Sequence, residues 1–376
     1  MFHLEPFTNP RETVGAVLDR IMPSVQGRSV LIKPDWNARE TPRASESTTV
    51  SFLAAVLTWL EQHGAGSVTL GHSSLLTPPD LPYTSFSDLL KLAGGHALLE
   101  DFPHLRLRDL EVEPMQLQGG FLVPAAVVEA EVLISCVRLK THSGTQIAVG
   151  TKGLMGLLPD SEHLRMHRDG LARLMAALAV AVPPDVTLVE ADVGMEGEGP
   201  HHGDDVDCGY YLGGDDVFEV DVLAAALMGH TVDEVDHLAA LGALLERPAP
   251  ALPDALRSHV RNFQRPTGII QATRAARVLP GDSCATCHLA ASSVLDFVKA
   301  NPTRIRTLAG LAKALYVDGV DLYMGHQPTG RVPAKGRSLA LGECSRGFAE
   351  AHGVPHIGGC PVRYHEVQDL LVQELS

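Results

Sequence analysis

The segment from residue 27 to residue 74 contains the alternation that decides the fold. It opens with GRSVLIKPDWN (27–37), a short apolar and β-branched run that follows a glycine. It continues with TTVSFLAAVLTWLEQHGAG (48–66), which has helical periodicity and a glycine stop, and then with SVTLGHSS (67–74), a second strand-like run. Because a strand, a helix and a strand follow one another, this segment predicts a βαβ unit and a parallel sheet.

The same alternation continues outward along the chain. Helical patterns at 85–102, 171–182 and 216–230 are interleaved with apolar strand-like runs at 131–142 and 185–195. From about residue 245 the sequence ERPAPALPDALR is rich in proline and is typical of a connector, after which a shorter α/β pattern resumes. We therefore predict an α/β protein with a parallel-sheet core in residues 1–250 and a smaller, cysteine-rich α/β domain in residues 251–376.

Composition and charge restrict the class of protein and its partners. Of the 376 residues, 45% are hydrophobic, which is enough for a sizeable core, and the net charge is −15. Nucleic acids and anionic membranes favour basic surfaces, so neither is an expected partner, whereas a small anionic substrate needs only a few local cations. The start MFHLEPFTNPRE does not resemble a signal peptide, and no apolar run is long enough to span a membrane. We expect a cytoplasmic protein.

Four of the six cysteines lie in the C-terminal part of the chain. Cys284 and Cys287 form a Cys-x-x-Cys pair, and Cys344 and Cys360 follow in GEC and GGCPV. Thioredoxin-like chemistry would need only the first pair, and a structural zinc site usually has two close pairs, whereas a four-cysteine Fe–S cluster accepts one close pair and two separated ligands. We expect these four cysteines to bind a [4Fe–4S] cluster, with zinc or no shared metal site as the alternatives.

The order CATC, GEC, GGCPV resembles the proximal-cluster domain of nickel–iron hydrogenase small subunits and their complex I relatives. In that scheme a Cys-x-x-Cys opens a helix, a Gly-x-Cys follows a later strand, and a Gly-Cys-Pro closes the set. The resemblance covers roughly the last 95 residues, with Val362 where the family has a second proline. Cys136 and Cys208 stand apart from this pattern, and we expect them to be structural.

Lysines occupy the ends of predicted strands and the glycine-rich segment that follows one of them. Lys33 ends the first strand, Lys140 and His142 alternate at the end of LISCVRLKTH and so share a face, and Lys152 lies in GTKGLMG. Polar groups at the carboxyl ends of parallel strands are where α/β sheets bind ligands. Lys33, Lys140 and Lys152, called the lysine group below, therefore predict a site for a small anion, with solvated surface lysines as the alternative. GTKGLMG lacks the Gly-Lys-Ser/Thr triplet of a Walker loop.

These residues fall in a series of motifs that is similar to the domain of unknown function 362 (DUF 362) family. The motifs, in order, are VLIKPDWN, LISCVRLKTH, GTKGLMGLLPD, LRMHRDG, VEADVGMEGEGP and DVFEVDVLAAALMGH. The resemblance spans about residues 27–240, and it implies a site without a known reaction. Many members carry a cysteine-rich Fe–S segment after this domain. The candidate positions that the resemblance implies are Lys33, Lys140, His142, Lys152, His167, Glu196 and Asp221.

Two positions depart from the family pattern. Asp35 stands where the family usually has asparagine after Lys-Pro, and Gly153 stands where an asparagine usually follows the loop lysine. The loss of either amide changes the groups that are offered to a ligand.

The remaining candidates are acids and histidines. Glu196 lies in a predicted glycine-rich loop, where it would act as a base or bind a metal, with a solvated loop acid as the alternative. Asp221 falls inside a predicted helix, and we expect a structural capping or pairing role. His163 and His167 have the spacing of a helical metal pair, but surface histidines are the preferred interpretation.

The sequence thus predicts an iron–sulfur protein that acts on an anionic ligand, as a small-molecule oxidoreductase or as an electron-transfer protein with a redox partner. Lys33, Lys140 and Lys152 would bind the ligand, and His142 and Glu196 would move protons. The alternatives are a non-redox enzyme, such as a lyase or isomerase, and a ligand-binding protein with a structural Fe–S or zinc site.

Overall fold

A computed structural model describes most of the chain in two compact units. One unit comprises residues up to Leu75 and from Tyr83 to Arg265, and the other comprises residues from Pro266 onward. The predicted division into domains 1–250 and 251–376 stays a prediction. The residues outside the description are 37–42, 74–85, 93, 272–275, 282, 284–286, 288–312, 314–316, 327–336, 360–361, 363–365 and 368–376.

The first unit is built on an eight-stranded, mixed sheet. Its strands are β1 (Phe2–Pro6), β2 (Ser29–Lys33), β3 (Ser67–His72), β4 (Arg106–Asp109), β7 (Val132–His142), β8 (Gln146–Ala148), β9 (Val186–Glu198) and β10 (His202–Gly214). The order is β1-β10-β9-β7-β2-β3-β4, and β8 pairs with β7. The central strands β9, β7, β2, β3 and β4 are parallel to one another, whereas β10 and β1 join one edge antiparallel and β8 pairs antiparallel with β7. The predicted α/β class with a parallel-sheet core is confirmed.

Helices and a small hairpin complete the first unit. The hairpin is formed by β5 (Met115–Gln118) and β6 (Phe121–Pro124). The helices are α1 (Pro10–Ile21), α2 (Val50–Gln62), α3 (Phe86–Leu92), α4 (His96–Asp101), α5 (Ala125–Glu129), α6 (Gly150–Gly153), α7 (Asp160–Asp169), α8 (Leu171–Ala181), α9 (Val217–Leu227) and α10 (Asp236–Leu244). Helix α2 shows why the local sequence folds as it does. The Thr49 side chain caps its first turn, and its apolar stripe, which includes Leu53 and Leu60, is buried.

One predicted loop is a strand pair instead. Glu196 lies within β9, and its Cα pairs with that of Asp204 in β10, so GMEGEGPHHGDD forms the end of a long hairpin. Gly197, in β9 just before the turn, has a φ of 74°, a conformation that disfavours other residues. The glycine content that suggested a loop therefore belongs to the tip of a hairpin.

The second unit contains a smaller sheet of five strands in the order β11-β12-β13-β14-β15. Its described elements are β11 (Ile270–Gln271), β12 (Ala276–Leu279), β13 (Val320–Met324), β14 (Arg337–Leu341), α11 (Arg346–His352) and β15 (His356–Ile357). Strands β12 to β15 are parallel. The strands predicted at VDLYMG and RSLALGEC are confirmed, whereas the helices predicted at CHLAASSVLDFVKA and YHEVQDLLVQEL lie almost entirely outside the described residues. Among the described helices of both units, none has the length and apolar character required to cross a membrane.

Candidate functional site

Two strands of the first unit, β2 and β3, end in polar residues at the same edge of the sheet, beside a serine of β7. Lys33 is the last residue of β2, His72 is the last residue of β3, and both strands run parallel to β7 and to each other. The Cα of Lys33 pairs with that of Ser135 in β7. The carboxyl edge that commonly binds ligands in α/β sheets is therefore lined by a lysine, a histidine and a serine.

The segment GTKGLMG packs directly over Lys33. A Cβ on Gly156 would lie only 2.6 Å from Lys33 Cε, and a Cβ on Gly153 would lie 3.7 Å from Lys33 Nζ. Real Cβ atoms do not approach other atoms as closely as 2.6 Å, so a larger residue at position 156 would force the side chains of Lys33 and His72 to shift. The close approach leaves the Lys33 side chain 1% exposed.

The members of the lysine group act on one another electrostatically. Burial lowers the pKa of Lys33 to about 8, and the ammonium groups of Lys140 and Lys152 act in the same direction. The Asp35 carboxylate opposes this shift in the pKa of Lys33. The three lysines proposed from the sequence thus interact electrostatically, and the Asp35 carboxylate interacts with Lys33 and Lys140.

Lys140 is buried but paired. Its Nζ lies 2.7 Å from Asp35 Oδ2 and donates to the carbonyl oxygen of Glu46 at 2.6 Å. Although burial opposes ionisation, the ammonium groups of Lys140 and Lys33 hold the pKa of Asp35 below its usual value. The Asp35 backbone N–H is fixed by the Thr48 hydroxyl at 2.9 Å. The aspartate that replaces the family's usual asparagine therefore supplies the counter-ion of Lys140.

Lys33 and Lys140 belong to opposite faces of the sheet. Alternation along β7 places Lys140 on the face opposite to Ser135, and Lys33 shares the face of Ser135 through the β2–β7 pairing. Asp35, just beyond the end of β2, interacts electrostatically with both side chains. His142 follows on the face of Lys140, where it is buried and its Nδ1 accepts from the Gly144 N–H at 3.0 Å.

Asp221 anchors the turn that carries Lys152. Its carboxylate accepts the backbone N–H groups of Gly150 and Thr151, each at 2.7 Å, at the start of α6. Burial raises the pKa of Asp221 to about 6, and these two hydrogen bonds oppose that rise. Asp221 thus has the structural capping role that was expected, and through it α9 positions α6 and Lys152.

Three histidines of this region are buried and neutral at physiological pH. Burial is the main cause that lowers the pKa of His72 to about 3, of His163 to about 4 and of His237 to about 3. His163 Nε2 lies 2.7 Å from the carbonyl oxygen of Met155. The interpretation of His163 as a surface histidine is therefore wrong, because α7 turns this residue toward the protein interior. His167 is partly buried.

His72 and His237 were not identified from the sequence. His72 carries a signal that was available, since it ends the predicted strand SVTLGH just as Lys33 ends its own strand. His237 lies in α10, and burial removes nearly all of its surface. Nothing in the local pattern around His237 indicates that it acts electrostatically with Lys152.

Glu196 is held by a neighbouring segment. Its Oε2 accepts the Gln264 backbone N–H at 2.7 Å and its Oε1 accepts the Gln264 side-chain amide at 3.0 Å. Its role as a base stays a prediction, and these hydrogen bonds show a tethering contact between β9 and the segment at Gln264.

In the second unit, two predicted cluster ligands converge on one turn. A Cβ on Gly342 would lie 3.4 Å from Cys287 Sγ and 3.6 Å from Cys344 Sγ, so both sulfurs border the same point. The same point lies 3.6 Å from Val362 Cγ2, and the Glu343 N–H donates to the Gly359 carbonyl oxygen at 2.9 Å. Residues on both sides of position 360 therefore contact the turn that carries Cys344.

Two of the four cysteines that are predicted to bind a cluster, Cys287 and Cys344, are among the described residues. Cys284 and Cys360 lie outside the described residues, and within the described part of the chain no group of three or more His, Cys, Asp or Glu side chains is arranged to hold a metal ion. The convergence of Cys287 and Cys344 fits a shared sulfur-ligated site. Cys136 and Cys208 are buried in the first unit, as expected, and burial raises the pKa of both thiols, that of Cys208 to about 11.

This combination defines an α/β protein with a buried lysine–histidine group at the edge of a mostly parallel sheet. The chain belongs to the family described as "Domain of unknown function (DUF362)", whose model matches residues 30–226, more than half of the chain. The family resemblance seen in the motifs is thereby confirmed.

A curated relative and two solved structures are similar to parts or all of the chain. The thylakoid-associated protein of Synechocystis sp. is 25% identical over 224 residues, which cover 54% of this chain and 63% of that protein, so the match spans less than two thirds of that relative. The lactate racemase apoprotein from Thermoanaerobacterium thermosaccharolyticum has 12% identity and a TM-score of 0.45 over 98% of this chain and 90% of that chain. A protein from Thermotoga maritima has 9% identity and a TM-score of 0.38 over 94% and 92%. TM-scores below 0.5 do not carry residue roles to this chain.

Proposed function

We propose that this chain is a cytoplasmic iron–sulfur protein that acts on a small anionic ligand, as a small-molecule oxidoreductase or an electron-transfer protein. The first unit binds the ligand at Lys33, Lys140 and Lys152. The ligands of a [4Fe–4S] cluster in the second unit are Cys284, Cys287, Cys344 and Cys360. Such a cluster accepts and donates single electrons, which a redox partner protein supplies or removes.

The observation that carries the cluster is the convergence at Gly342. The sulfurs of Cys287 and Cys344 border one point, and Gly359 and Val362, on either side of position 360, contact the same turn. Cys344 follows β14 and position 360 follows β15, so these segments leave the carboxyl edge of a parallel sheet side by side. One close cysteine pair with two separated cysteines is the pattern that a four-cysteine cluster accepts.

The charge of the first unit supports an anionic ligand. The charges of Lys140 and Lys152 lower the pKa of Lys33, and the Asp35 carboxylate opposes that shift. Lys33 is buried, and among the described residues no carboxylate lies within ion-pair distance of its Nζ, so a carboxylate or phosphate group bound beside it would gain electrostatic free energy. His142 and Glu196 are the groups we assign to proton transfer in the redox reaction.

The test of the cluster is anaerobic purification of the full chain. We expect about four iron and four acid-labile sulfide per chain, with a broad absorption band near ~400 nm that dithionite bleaches. Cys344→Ser is expected to lower both contents, whereas Cys208→Ser, a buried cysteine of the first unit, leaves them unchanged. Zinc without sulfide would contradict the redox function and favour a structural metal.

The test of the ligand site is thermal stabilisation by small anions. At constant ionic strength, pyruvate, oxalate or inorganic phosphate is expected to raise the melting temperature of the native protein. Lys152→Gln should reduce this shift, and Lys91→Gln, on the exposed side of α3, should not. Equal shifts in all three proteins would rule out the lysine group as the binding site.

A second candidate function, a lyase or isomerase, is favoured by one observation. His72 is buried and neutral, and its Nε2 lies under Gly156 together with Lys33 Cε. A neutral imidazole beside a lysine at the edge of a sheet has the chemistry of a proton-transfer site that needs no electron. Turnover of an anionic substrate by protein that lacks the cluster would favour this candidate.

A further inference from the structure

We propose that Lys33 is a nucleophilic lysine that forms an imine with the carbonyl group of a small 2-oxo acid, with His72 as its proton carrier. This inference rests on the proposed anionic-ligand site and names the class of ligand and the bond that it forms there.

Lys33 differs from the other buried cations of the same sheet. Arg138 lies 2.8 Å from Glu190, and Lys140 lies 2.7 Å from Asp35. Among the described residues, no carboxylate lies within ion-pair distance of Lys33 Nζ. A buried ammonium without a close counter-ion favours its neutral form, and the pKa of Lys33, lowered to about 8 mainly by burial, agrees with this. A buried amine of this kind is a nucleophile.

A buried hydroxyl group lies on the same side of Gly153 as the Lys33 amine. The point where a Cβ on Gly153 would stand is 3.7 Å from Lys33 Nζ and 3.8 Å from Ser135 Oγ. Within the described part of the chain, the buried Ser135 hydroxyl has no hydrogen-bond partner. Val137 Cγ1 also lies close to this point, at 2.7 Å. A buried hydroxyl on the same side of Gly153 as the Lys33 amine is suited to donate a hydrogen bond to the oxygen of a carbonyl group that the amine attacks.

The tautomer of His72 suits it to carry protons. Its Nδ1 lies 2.5 Å from the carbonyl oxygen of Ser73, which can only accept, so Nδ1 bears the hydrogen and Nε2 bears the lone pair. The point where a Cβ on Gly156 would stand is 2.7 Å from this Nε2 and 2.6 Å from Lys33 Cε. Nε2 therefore lies beside the Lys33 side chain, where it can take a proton and return it.

The reaction that we infer involves no change of oxidation state. The Lys33 amine attacks the carbonyl carbon, a C–N bond forms, and the carbonyl oxygen becomes a hydroxyl with a proton that His72 carries from the nitrogen. That oxygen then leaves as water, its second proton also coming from the nitrogen, and a C=N bond remains. The carboxylate of the 2-oxo acid meets the positive charge of Lys152, which acts electrostatically on Lys33, and this explains the choice of an anionic carbonyl compound.

The experiment is reductive trapping on the full-length protein. Glyoxylate, pyruvate and 2-oxoglutarate are each added with sodium cyanoborohydride, which reduces an imine to a stable secondary amine, and the adduct is located by intact mass and peptide mapping. We expect one adduct, on Lys33, whose rate of formation rises with pH through about 8. The titratable groups that act on Lys33 are Asp35, His72, Cys136, Lys140, Lys152 and His163.

Variants separate the roles of the residues. Lys33→Gln should abolish the adduct, His72→Gln should slow it by about 10²-fold, the scale of acid–base catalysis, and Lys91→Gln should leave it unchanged. Adducts spread over exposed lysines, or an adduct that persists in Lys33→Gln, would overturn the inference. If pyruvate stabilised the protein without forming an adduct, the imine would be overturned and the anion site would stand. If none of the three acids stabilised the protein or formed an adduct, the imine and the anion site would both be overturned.

Discussion

At the level of single residues, the surroundings of each buried cation determine whether it is charged and how much free energy its burial costs. Arg138 is fully buried between Glu190 and Asp192, at 2.8 Å and 3.0 Å. Lys140 has Asp35. Lys33, at the end of the neighbouring strand, has its pKa lowered to about 8 chiefly by burial. Two lysines near the ends of neighbouring strands thus differ: Lys140 forms an ion pair, and Lys33 is a buried amine with a lowered pKa.

Removal of the Lys33 amine is expected to stabilise the protein at neutral pH. The native pKa of about 8 lies below the ordinary 10.5, so the unfolded chain binds more protons between these values, and the free energy of unfolding rises with pH across that window. Below pH 8 the full cost of about 3 kcal/mol applies. Lys33→Met should recover much of it in urea unfolding at pH 7 and little at pH 10.5. A gain that is equal at both pH values, or a similar gain in Lys91→Met, would contradict this.

Removal of the Arg138 guanidinium should have the opposite effect. Arg138→Met leaves Glu190, which is 1% exposed, without its cation, and we expect a loss of about 3–5 kcal/mol in the free energy of unfolding. Glu190 also accepts the Thr49 N–H at 2.9 Å. Glutamine keeps an oxygen for that bond, so the double variant Arg138→Met, Glu190→Gln should recover most of the loss. A double variant no more stable than Arg138→Met would show that the charge of Glu190 is not the cause.

At the level of elements, short turns position the groups that matter in both units. Helix α6 has only four residues, too few to hold its own geometry, and Asp221 of α9 binds its first two N–H groups. In the second unit, the turn after β14 is held through the Gly342 N–H to the Ile357 carbonyl oxygen at 2.9 Å. Each turn is therefore determined by a residue distant in the sequence.

Loss of the Asp221 carboxylate should release α6. Asp221→Ala leaves the buried N–H groups of Gly150 and Thr151 without their acceptor, and we expect a loss of about 2–4 kcal/mol in the free energy of unfolding. The stabilisation by pyruvate should also decrease, because Lys152 lies in α6. The exposed Asp204→Ala is the matched control and should change neither quantity. If pyruvate stabilised Asp221→Ala as much as the native protein, α6 would not be part of the ligand site.

The Gly342 turn gives a prediction for the cysteine site. Gly342 has a φ of 90°, and a Cβ there would lie 3.4 Å from Cys287 Sγ. Gly342→Ala is expected to cost about 1–2 kcal/mol in the second unit and to lower the iron content after anaerobic purification. Gly347→Ala, in α11 with nothing within 4 Å of its Cβ position, should be neutral or stabilising. Iron content that falls equally in both variants would contradict a specific role of the turn.

At the scale of the whole molecule, buried neutral histidines determine the response to acid. The native pKa values of His72, His163 and His237, about 3, 4 and 3, lie below the ordinary 6.5 because burial disfavours the charged form. The unfolded chain therefore binds up to three more protons than the native chain as the pH falls from 6.5 to about 4. Acid lowers the stability of the protein across this window.

This response is measurable as the slope of stability against pH. We expect the free energy of unfolding to fall steeply between pH 6.5 and pH 4, and His237→Gln to make the slope shallower by about one proton, or about 1.4 kcal/mol per pH unit. The exposed His104→Gln serves as the control and should leave the slope unchanged. A slope in His237→Gln identical to that of the native protein would show that His237 is not buried as a neutral ring.

The sequence by itself determined the α/β class, the parallel core and the family. Strand–helix alternation is a local property, and the positions of Lys33, Lys140 and Lys152 relative to the strand ends follow from it. The cysteine-bearing turn after β14 was also visible as a strand that ends in Gly-x-Cys. These features depend on residues that are neighbours in the chain.

Only the tertiary structure decided which of these side chains come into contact and whether each of them is charged. The pairing of β1 with β10 joins residues 2–6 to residues 210–214, and the ion pair of Arg138 with Glu190 joins β7 to β9. The burial of His72 and of Lys33 likewise follows from the packing of GTKGLMG over the sheet edge. Sequence periodicity indicates which face of a strand or helix a residue occupies, but it does not identify the residue's neighbours. The pKa of each group is set by its burial and by nearby charges, and these depend on segments that are far apart in the sequence.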